Sequence, residues 1–166
     1  MTKDRLDLLM EEMIAFDAGD PRRIQHFVKV HAFARYIGRR EGLTGELLET
    51  LEAAAYVHDI GIRLAEERYG HSSGKLQEEL GPAAAEEMLS RLGFPEEMTR
   101  RAAWLVGHHH TYDDIRGEDY RILVEADFLV NLFEKGAPRE EVETVLERIF
   151  RTAAGRALCR TMFGLD

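Results

Sequence analysis

A histidine followed directly by an aspartate, His58-Asp59, ends the apolar helical stretch Leu-Glu-Ala-Ala-Ala-Tyr-Val. His26 lies upstream of this pair, and Asp127 lies downstream within Ile-Leu-Val-Glu-Ala-Asp-Phe-Leu-Val. Two imidazoles and two carboxylates beside apolar residues suit a bound divalent cation, because a carboxylate next to a core is costly unless a positive group faces it. Mixed nitrogen and oxygen ligands favour Fe, Mn, Zn, Ni or Co.

These candidate ligands also have structural alternatives. A lone histidine such as His26, at the edge of an apolar stripe, is more often a hydrogen-bonded residue of the core edge than a ligand. Asp59 could serve as a local cap or an ion-pair partner. Asp127 has Leu123 and Val130 on its helix face, where a buried Arg or Lys could neutralise it. A cation is favoured because it neutralises the carboxylate while holding two helices together.

Three consecutive histidines, His108, His109 and His110, follow the apolar end of another helical segment. A polar helix end is the structural alternative, since protonated histidine complements the helix dipole. We expect one or two of the three to face the same pocket, where they could bind a second cation or a phosphate oxygen. Phosphate could also be held by the cationic residues near the candidate ligands in sequence, namely Arg22, Arg23, Arg63 and Lys75.

Helices must position these residues, because apolar residues recur along the chain at helical spacing. Asp20-Pro21 predicts an N-cap followed by proline at the first helical position, and Gly61 is predicted to end the third helix. Helices are predicted over residues 2–16, from Pro21 to near Gly42, from after Thr44 to His58-Asp59, from Gly81-Pro82 to Leu92, from Pro95 to the stretch Val106-Gly107-His108-His109-His110, over 119–134 and, as the C-terminal helices, within 138–163.

A polar, glycine-containing stretch over residues 64–80 includes Tyr-Gly-His-Ser-Ser-Gly-Lys. We predict a loop for this stretch. Because it follows soon after His58-Asp59, the loop is expected beside the site, and loops beside rigid sites commonly carry specificity.

Composition limits the classes of protein to consider. The 166 residues, 45% of them hydrophobic, suit one domain with a sizeable core. No apolar run approaches the roughly 20 residues that span a bilayer, and the charged N-terminus does not resemble a signal peptide, so we expect a cytoplasmic protein without a membrane partner. The single cysteine, Cys159, excludes an internal disulfide. The net charge of −9 argues against a nucleic-acid polymer as partner.

The order of His26, His58-Asp59 and Asp127 resembles the HD-domain metal-dependent phosphohydrolase superfamily. The local sequences that carry the resemblance are Arg-Ile-Gln-His-Phe-Val-Lys-Val, Tyr-Val-His-Asp-Ile-Gly and Val-Glu-Ala-Asp, within residues 20–135. The resemblance implies an all-α helical bundle in which these four residues bind one divalent cation. We expect a single HD domain over 1–166, with the helices of 138–163 packed on the motif-bearing core.

Some relatives hold two metals with additional histidines, and the stretch ending in His108-His109 is similar to theirs. Two-metal relatives usually carry a histidine a few residues before the position of Gly81. This chain has other residues there, namely Gln77, Glu78 and Glu79. Glu78 or Glu79 could replace the missing ligand, so the resemblance allows one or two cations.

The resemblance implies hydrolysis of a small phosphate ester, with a nucleotide, cyclic nucleotide or alarmone as substrate. A metal-activated water would attack phosphorus, and Asp59 would orient or deprotonate that water. We expect one histidine, His108 or His109, and one arginine, Arg23 or Arg63, to stabilise the phosphoryl charge together.

Two alternatives remain open. Many relatives carry Lys or Glu where this chain has Ile62, which favours a module that senses a nucleotide without hydrolysing it. A few relatives perform redox chemistry, which leaves a di-iron oxygenase as a third hypothesis. A homodimer is also left open by the apolar C-terminal residues Val142, Val145, Leu146, Ile149 and Phe150.

Overall fold

Helices make up the regular structure of the protein. The computed structural model describes residues 4–165, and no strand occurs within this range. In chain order the helices are α1 (Arg5–Phe16), α2 (Pro21–Arg40), α3 (Gly45–Val57), α4 (Gly61–Tyr69), α5 (Gly74–Arg91), α6 (Glu96–Val106), α7 (Glu118–Lys135), α8 (Arg139–Arg148) and α9 (Ala153–Phe163). The all-α prediction is therefore confirmed. No described helix is both long and apolar enough to cross a bilayer.

The start of α2 follows from its sequence. The Asp20 side chain accepts a hydrogen bond from the backbone N–H of Arg23 at 3.0 Å, and Pro21 occupies the first helical position. Helix α1 begins at Arg5 after the capping residue Asp4, and the predicted start at Thr2 lies outside the described residues.

The predicted loop over residues 64–80 is wrong. Helix α4 continues to Tyr69 and α5 begins at Gly74, so a short connection separates two helices. Gly61 opens α4 instead of ending α3. A Cβ atom at Gly61 would lie 2.7 Å from the carbonyl oxygen of Gln77, so this glycine permits close packing of α4 against α5 and does not mark a turn.

The prediction that Gly81-Pro82 opens a helix is also wrong, because both residues lie inside α5. A Cβ atom at Gly81 would lie 2.6 Å from Cγ1 of Val106, and one at Gly107 would lie 3.1 Å from Cγ of Pro82. The proline ring and both glycines thus lie where α5 meets the end of α6. Close helix packing, and not a break in the chain, explains these residue types.

Helices α2, α3 and α7 form the centre of the bundle, where α2 packs against both α3 and α7. The second half of α3 is buried on every side, so its end brings His58 into the interior. The C-terminal apolar residues face inward as well: Val142, Leu146 and Phe150 are buried in the core. That face is therefore covered by the protein itself and does not support the homodimer suggested from sequence.

Candidate metal centre

Four side chains from three parts of the bundle meet in the interior, and we call them the first cluster: His26, His58, Asp59 and Asp127. Helix α2 carries His26, the end of α3 leads into His58 and Asp59, and α7 carries Asp127. The two Nε2 atoms lie 3.2 Å apart. Nε2 of His26 lies 3.2 Å from Oδ2 of Asp59 and 3.2 Å from Oδ1 of Asp127. Nε2 of His58 lies 3.3 Å from the same two oxygens.

These distances match the spacing of ligand atoms around a single ion. Ligands about 2.1 Å from a cation and separated by roughly 90–110° lie about 3.0–3.4 Å from one another. His58 is fully buried, and His26 and Asp127 are 6% and 4% exposed. His26, His58 and Asp59 form one of the groups of described residues that could hold a metal, and Asp127 adjoins it through both imidazoles.

The outer nitrogens of both imidazoles are engaged by oxygen acceptors. Nδ1 of His58 donates to the carbonyl oxygen of Ala55 at 2.7 Å, and Nδ1 of His26 donates to the Glu134 carboxylate, with both oxygens at 3.1 Å. A neutral imidazole that donates through Nδ1 keeps its lone pair on Nε2. Both histidines are therefore oriented as metal ligands commonly are, including a carboxylate behind one of them.

Sequence reasoning missed Glu134. It lies seven residues after Asp127, about two helical turns on, and so on nearly the same face of α7. Asn131, four residues after Asp127, was missed as well, and its side-chain amide donates to Oδ1 of Asp127 at 3.0 Å. The helical spacing from Asp127 is the signal that could have indicated both residues.

Opposite charges stabilise one another in the first cluster. Burial lowers the pKa of His26, but hydrogen bonds to Asp127 and Asp59 outweigh it and raise that pKa from 6.5 to about 9. Burial likewise opposes the charge on His58, whose pKa the two aspartates still raise well above 6.5. Despite their burial, the carboxyls of Asp59 and Asp127 have lowered pKa values, chiefly because His58 is close. Any cation bound here must displace protons from the imidazoles.

A second group that could hold a metal comprises Asp59, His109 and His110, and we call it the second cluster. Nε2 of the buried His109 lies 3.3 Å from Oδ1 of Asp59, while its Nδ1 donates to the carbonyl oxygen of Val106 at 2.8 Å. Nε2 of His110 lies 2.7 Å from Oε1 of Gln77. Asp59 therefore connects the clusters, with Oδ2 directed to the first and Oδ1 to the second.

The structure places three of the predicted second-site residues outside this cluster. The ring of His108 stacks on Trp104 with centroids 3.9 Å apart, and its Nδ1 donates to the Trp104 carbonyl oxygen. The Glu78 carboxylate accepts a hydrogen bond from the Thr111 hydroxyl at 3.0 Å, and Glu79 is exposed near Lys75. His110 takes the place expected for His108, because side-chain directions after the end of α6 no longer follow helical periodicity.

A cleft of about 320 Å³ borders the first cluster. It is lined by Asp20, Arg22, Arg23, His26, Asp59, Ile62, Asn131 and Glu134. The guanidinium of Arg23 pairs with Glu66 at 3.1 Å and with Asp20 at 3.5 Å. Two arginines thus lie on the wall of a cleft whose floor is the candidate metal centre.

Arg63 does not line this cleft, contrary to the expectation from sequence. Its Nη1 donates to the carbonyl oxygen of Phe16 at 2.8 Å, and its Nε donates to Glu67 at 3.1 Å. Because neighbouring residues of a helix point about 100° apart, the side chain that α4 presents to the cleft is Ile62. Lys75 is also directed away, with its side chain 85% exposed.

The region of the chain that contains this site is similar to a known protein family. A family model described as the HD domain matches residues 23–153. A search of curated proteins and a search of solved structures gave no match. The family match covers most of the chain and contains both clusters. The chain therefore belongs to the HD domain family.

Proposed function

We propose that this protein is a metal-dependent phosphohydrolase that acts on a small phosphate ester, with a nucleotide as the substrate class. The observation that carries the proposal is the convergence of two Nε2 atoms and two carboxylate oxygens at 3.2–3.3 Å. HD domains bind divalent metals, and the family typically comprises metal-dependent hydrolases.

The first cluster provides the ligands that the proposed cation requires. His26, His58, Asp59 and Asp127 would hold a divalent transition metal such as Fe, Mn, Zn, Ni or Co. When bound, such a cation polarises a phosphoryl oxygen and makes water more acidic at neutral pH. The second cluster would hold a second cation or contact a phosphate oxygen through His109 and His110.

Asp59 is the proposed catalytic carboxylate. Its side chain is 14% exposed and lines the cleft, so it is accessible to a water molecule there. With Oδ1 facing Nε2 of His109, Asp59 can orient an attacking water, and the neighbouring imidazole of His109 can accept the proton of that water. The lowered pKa of Asp59 keeps its carboxylate charged, which suits the orienting role, while the imidazole serves as the general base.

Arg23 is the proposed phosphate contact, with Arg22 beside it on the same wall. The Arg23 side chain is 18% exposed and its partner Glu66 is 48% exposed, so the ion pair is screened and can exchange for a phosphate. Planar guanidinium groups suit bidentate contacts with phosphate oxygens. The size of the cleft and the net charge of −9 favour a small ester over a nucleic-acid polymer.

Metal content and turnover test the proposal together. The protein would be loaded separately with Mn, Co, Ni, Zn and Fe, analysed for ions per chain, and assayed against nucleoside mono-, di- and cyclic phosphates. We expect at least one ion per chain and phosphate release with at least one substrate class. His58→Gln should abolish both, whereas the matched change His31→Gln, in a histidine paired with Glu52, should leave both intact. Absence of turnover with all five metals would contradict the proposal.

A nucleotide-sensing module is the second candidate function. The observation that favours it is the placement of Ile62 on the cleft wall, where an apolar side chain offers neither a proton nor a positive charge to the phosphate. Isothermal titration with the same nucleotides separates the two functions. Saturable binding to the metal-loaded protein without phosphate release would favour sensing.

A further inference from the structure

We propose that the hydroxyl of Tyr120 positions His109 and His110 for catalysis by holding the turn that carries them. The inference rests on the proposed function. The Tyr120 hydroxyl donates to the carbonyl oxygen of His108 at 2.8 Å and is in close hydrogen-bonding contact with the carbonyl oxygen of Thr111. These two carbonyls flank the histidines of the second cluster in the chain.

Residues 107–111, which we call the histidine turn, depend on this contact for part of their shape. The turn closes on itself through the N–H of Thr111, which donates to the carbonyl oxygen of His108 at 2.8 Å. From its position on α7, the Tyr120 hydroxyl contacts the carbonyl oxygens of both His108 and Thr111 and so holds the two ends of the turn together. Tyr120 is 1% exposed, so water cannot readily replace its hydroxyl there.

Tyr120 is itself firmly anchored. Its backbone N–H donates to Oδ1 of Asp119 at 2.8 Å, and Asp119 accepts two hydrogen bonds from Arg101 of α6, each 2.8 Å long. Gly117 makes this possible, since its φ is +96° and a Cβ atom there would lie 2.8 Å from Nη2 of Arg101. The start of α7 is thereby joined to α6, and the histidine turn lies between them.

The same helix connects the turn to the first cluster. Asp127 follows Tyr120 by seven residues, about two helical turns, and so lies on nearly the same face of α7. A shift of the histidine turn relative to the first cluster would change the separation of 3.3 Å between Nε2 of His109 and Oδ1 of Asp59. Tyr120 is a positioning residue, because it acts through the histidines and does not itself line the cleft.

Tyr120→Phe tests the proposal, with Tyr56→Phe as the matched control. Tyr56 is also buried, at 6% exposure, and its hydroxyl contacts Sδ of Met10, so both changes remove one buried phenol oxygen. Imidazole ¹H–¹⁵N spectra of the metal-free protein report on the histidines without requiring turnover. We expect Tyr120→Phe to shift the His109 and His110 resonances while leaving His31 unchanged, and Tyr56→Phe to leave the His109 and His110 resonances unchanged.

Kinetics provide the second readout. We expect Tyr120→Phe to lower kcat by about 10–100-fold, because misplacement of catalytic groups by about 1 Å has effects of that order, while first-cluster metal affinity stays within about twofold. Equal thermal destabilisation by both tyrosine variants, with wild-type histidine spectra, would overturn the proposal. If Tyr120→Phe does not fold, Arg101→Lys is the second variant, because it keeps the positive charge but loses the paired hydrogen bonds with Asp119. Unchanged His109 and His110 spectra in Arg101→Lys would also overturn the proposal. A shift of the spectra in a protein that hydrolyses no ester would instead contradict the proposed function.

Discussion

At the scale of single residues, the first cluster depends on which nitrogen of each imidazole faces inward. His26 and His58 both use Nδ1 to donate to an oxygen atom, which leaves Nε2 for a cation. A carboxylate behind His26 makes its imidazole more basic than a carbonyl would. Glu134 is therefore expected to tune the metal affinity without contacting the metal.

Glu134→Gln should weaken binding of Mn or Co by about 10–100-fold, the usual effect of losing a carboxylate behind a ligating histidine. The amide is nearly isosteric but carries no charge. Isothermal titration measures the affinity, and Glu86→Gln, on an exposed part of α5, is the control. Equal affinities in the two variants would show that the carboxylate charge has no influence on the centre.

The pH dependence of metal binding follows from His26, whose pKa is raised to about 9. Below that pH a proton on His26 competes with the cation, and a proton on His58 competes as well because its pKa is also raised, so the apparent metal affinity should rise by at least about tenfold per pH unit toward pH 9. The stability of the metal-free protein should change in the opposite direction. The raised pKa of His26 contributes a free energy of folding that is fully present below pH 6.5 and is lost as the pH rises through about 9. Titrations and urea unfolding from pH 6 to 10 measure both, and a metal affinity independent of pH would contradict this account.

At the scale of helices, the close approach of α4 and α5 explains residues that resemble a loop in the sequence. The backbone of α5 at Gln77 lies against Gly61, two residues after Asp59. The Gln77 side chain in turn contacts His110. The packing of α4 against α5 therefore also supports the second cluster, through the Gln77 side chain.

Gly61→Ala should destabilise the protein by about 1–3 kcal/mol, the usual cost of overpacking a tightly packed interior. The new Cβ would lie 2.7 Å from a backbone oxygen, which cannot move aside as a flexible side chain can. Urea unfolding measures the free energy, and Glu86→Ala on the exposed side of α5 is the control. A stability within about 0.5 kcal/mol of wild type would show that the two helices separate easily.

At the scale of the whole molecule, a cation in the first cluster would join α2, the end of α3 and α7, the central helices of the bundle. A ligand that binds the folded state alone stabilises it by mass action. The candidate metal centre is therefore expected to contribute to folding as well as to catalysis.

Metal at about 100 times its Kd should stabilise the protein by about 2.7 kcal/mol. For a chain of this length that corresponds to a rise in Tm of roughly 5–11 °C. Thermal unfolding with and without chelator measures the shift. Asp127→Asn, which removes one ligand charge, should lose most of it, and a full shift in that variant would place the stabilising cation elsewhere.

The sequence alone determined the helical class and selected the four side chains that the structure brings together in the first cluster. Both depend on local information, since residue type and helical periodicity are properties of short segments. Capping at Asp20-Pro21 was likewise predictable, because it involves a hydrogen bond across three residues.

The tertiary structure alone decided which groups support and complete the site. The choice of His110 over His108 depends on the contact of Tyr120 with the histidine turn and on the stacking of His108 on Trp104. The role of Gly61 depends on the approach of α5, sixteen residues further along the chain. Contacts between separate helices set these directions, and no short segment encodes them, because the side chains of a turn point wherever the surrounding helices allow.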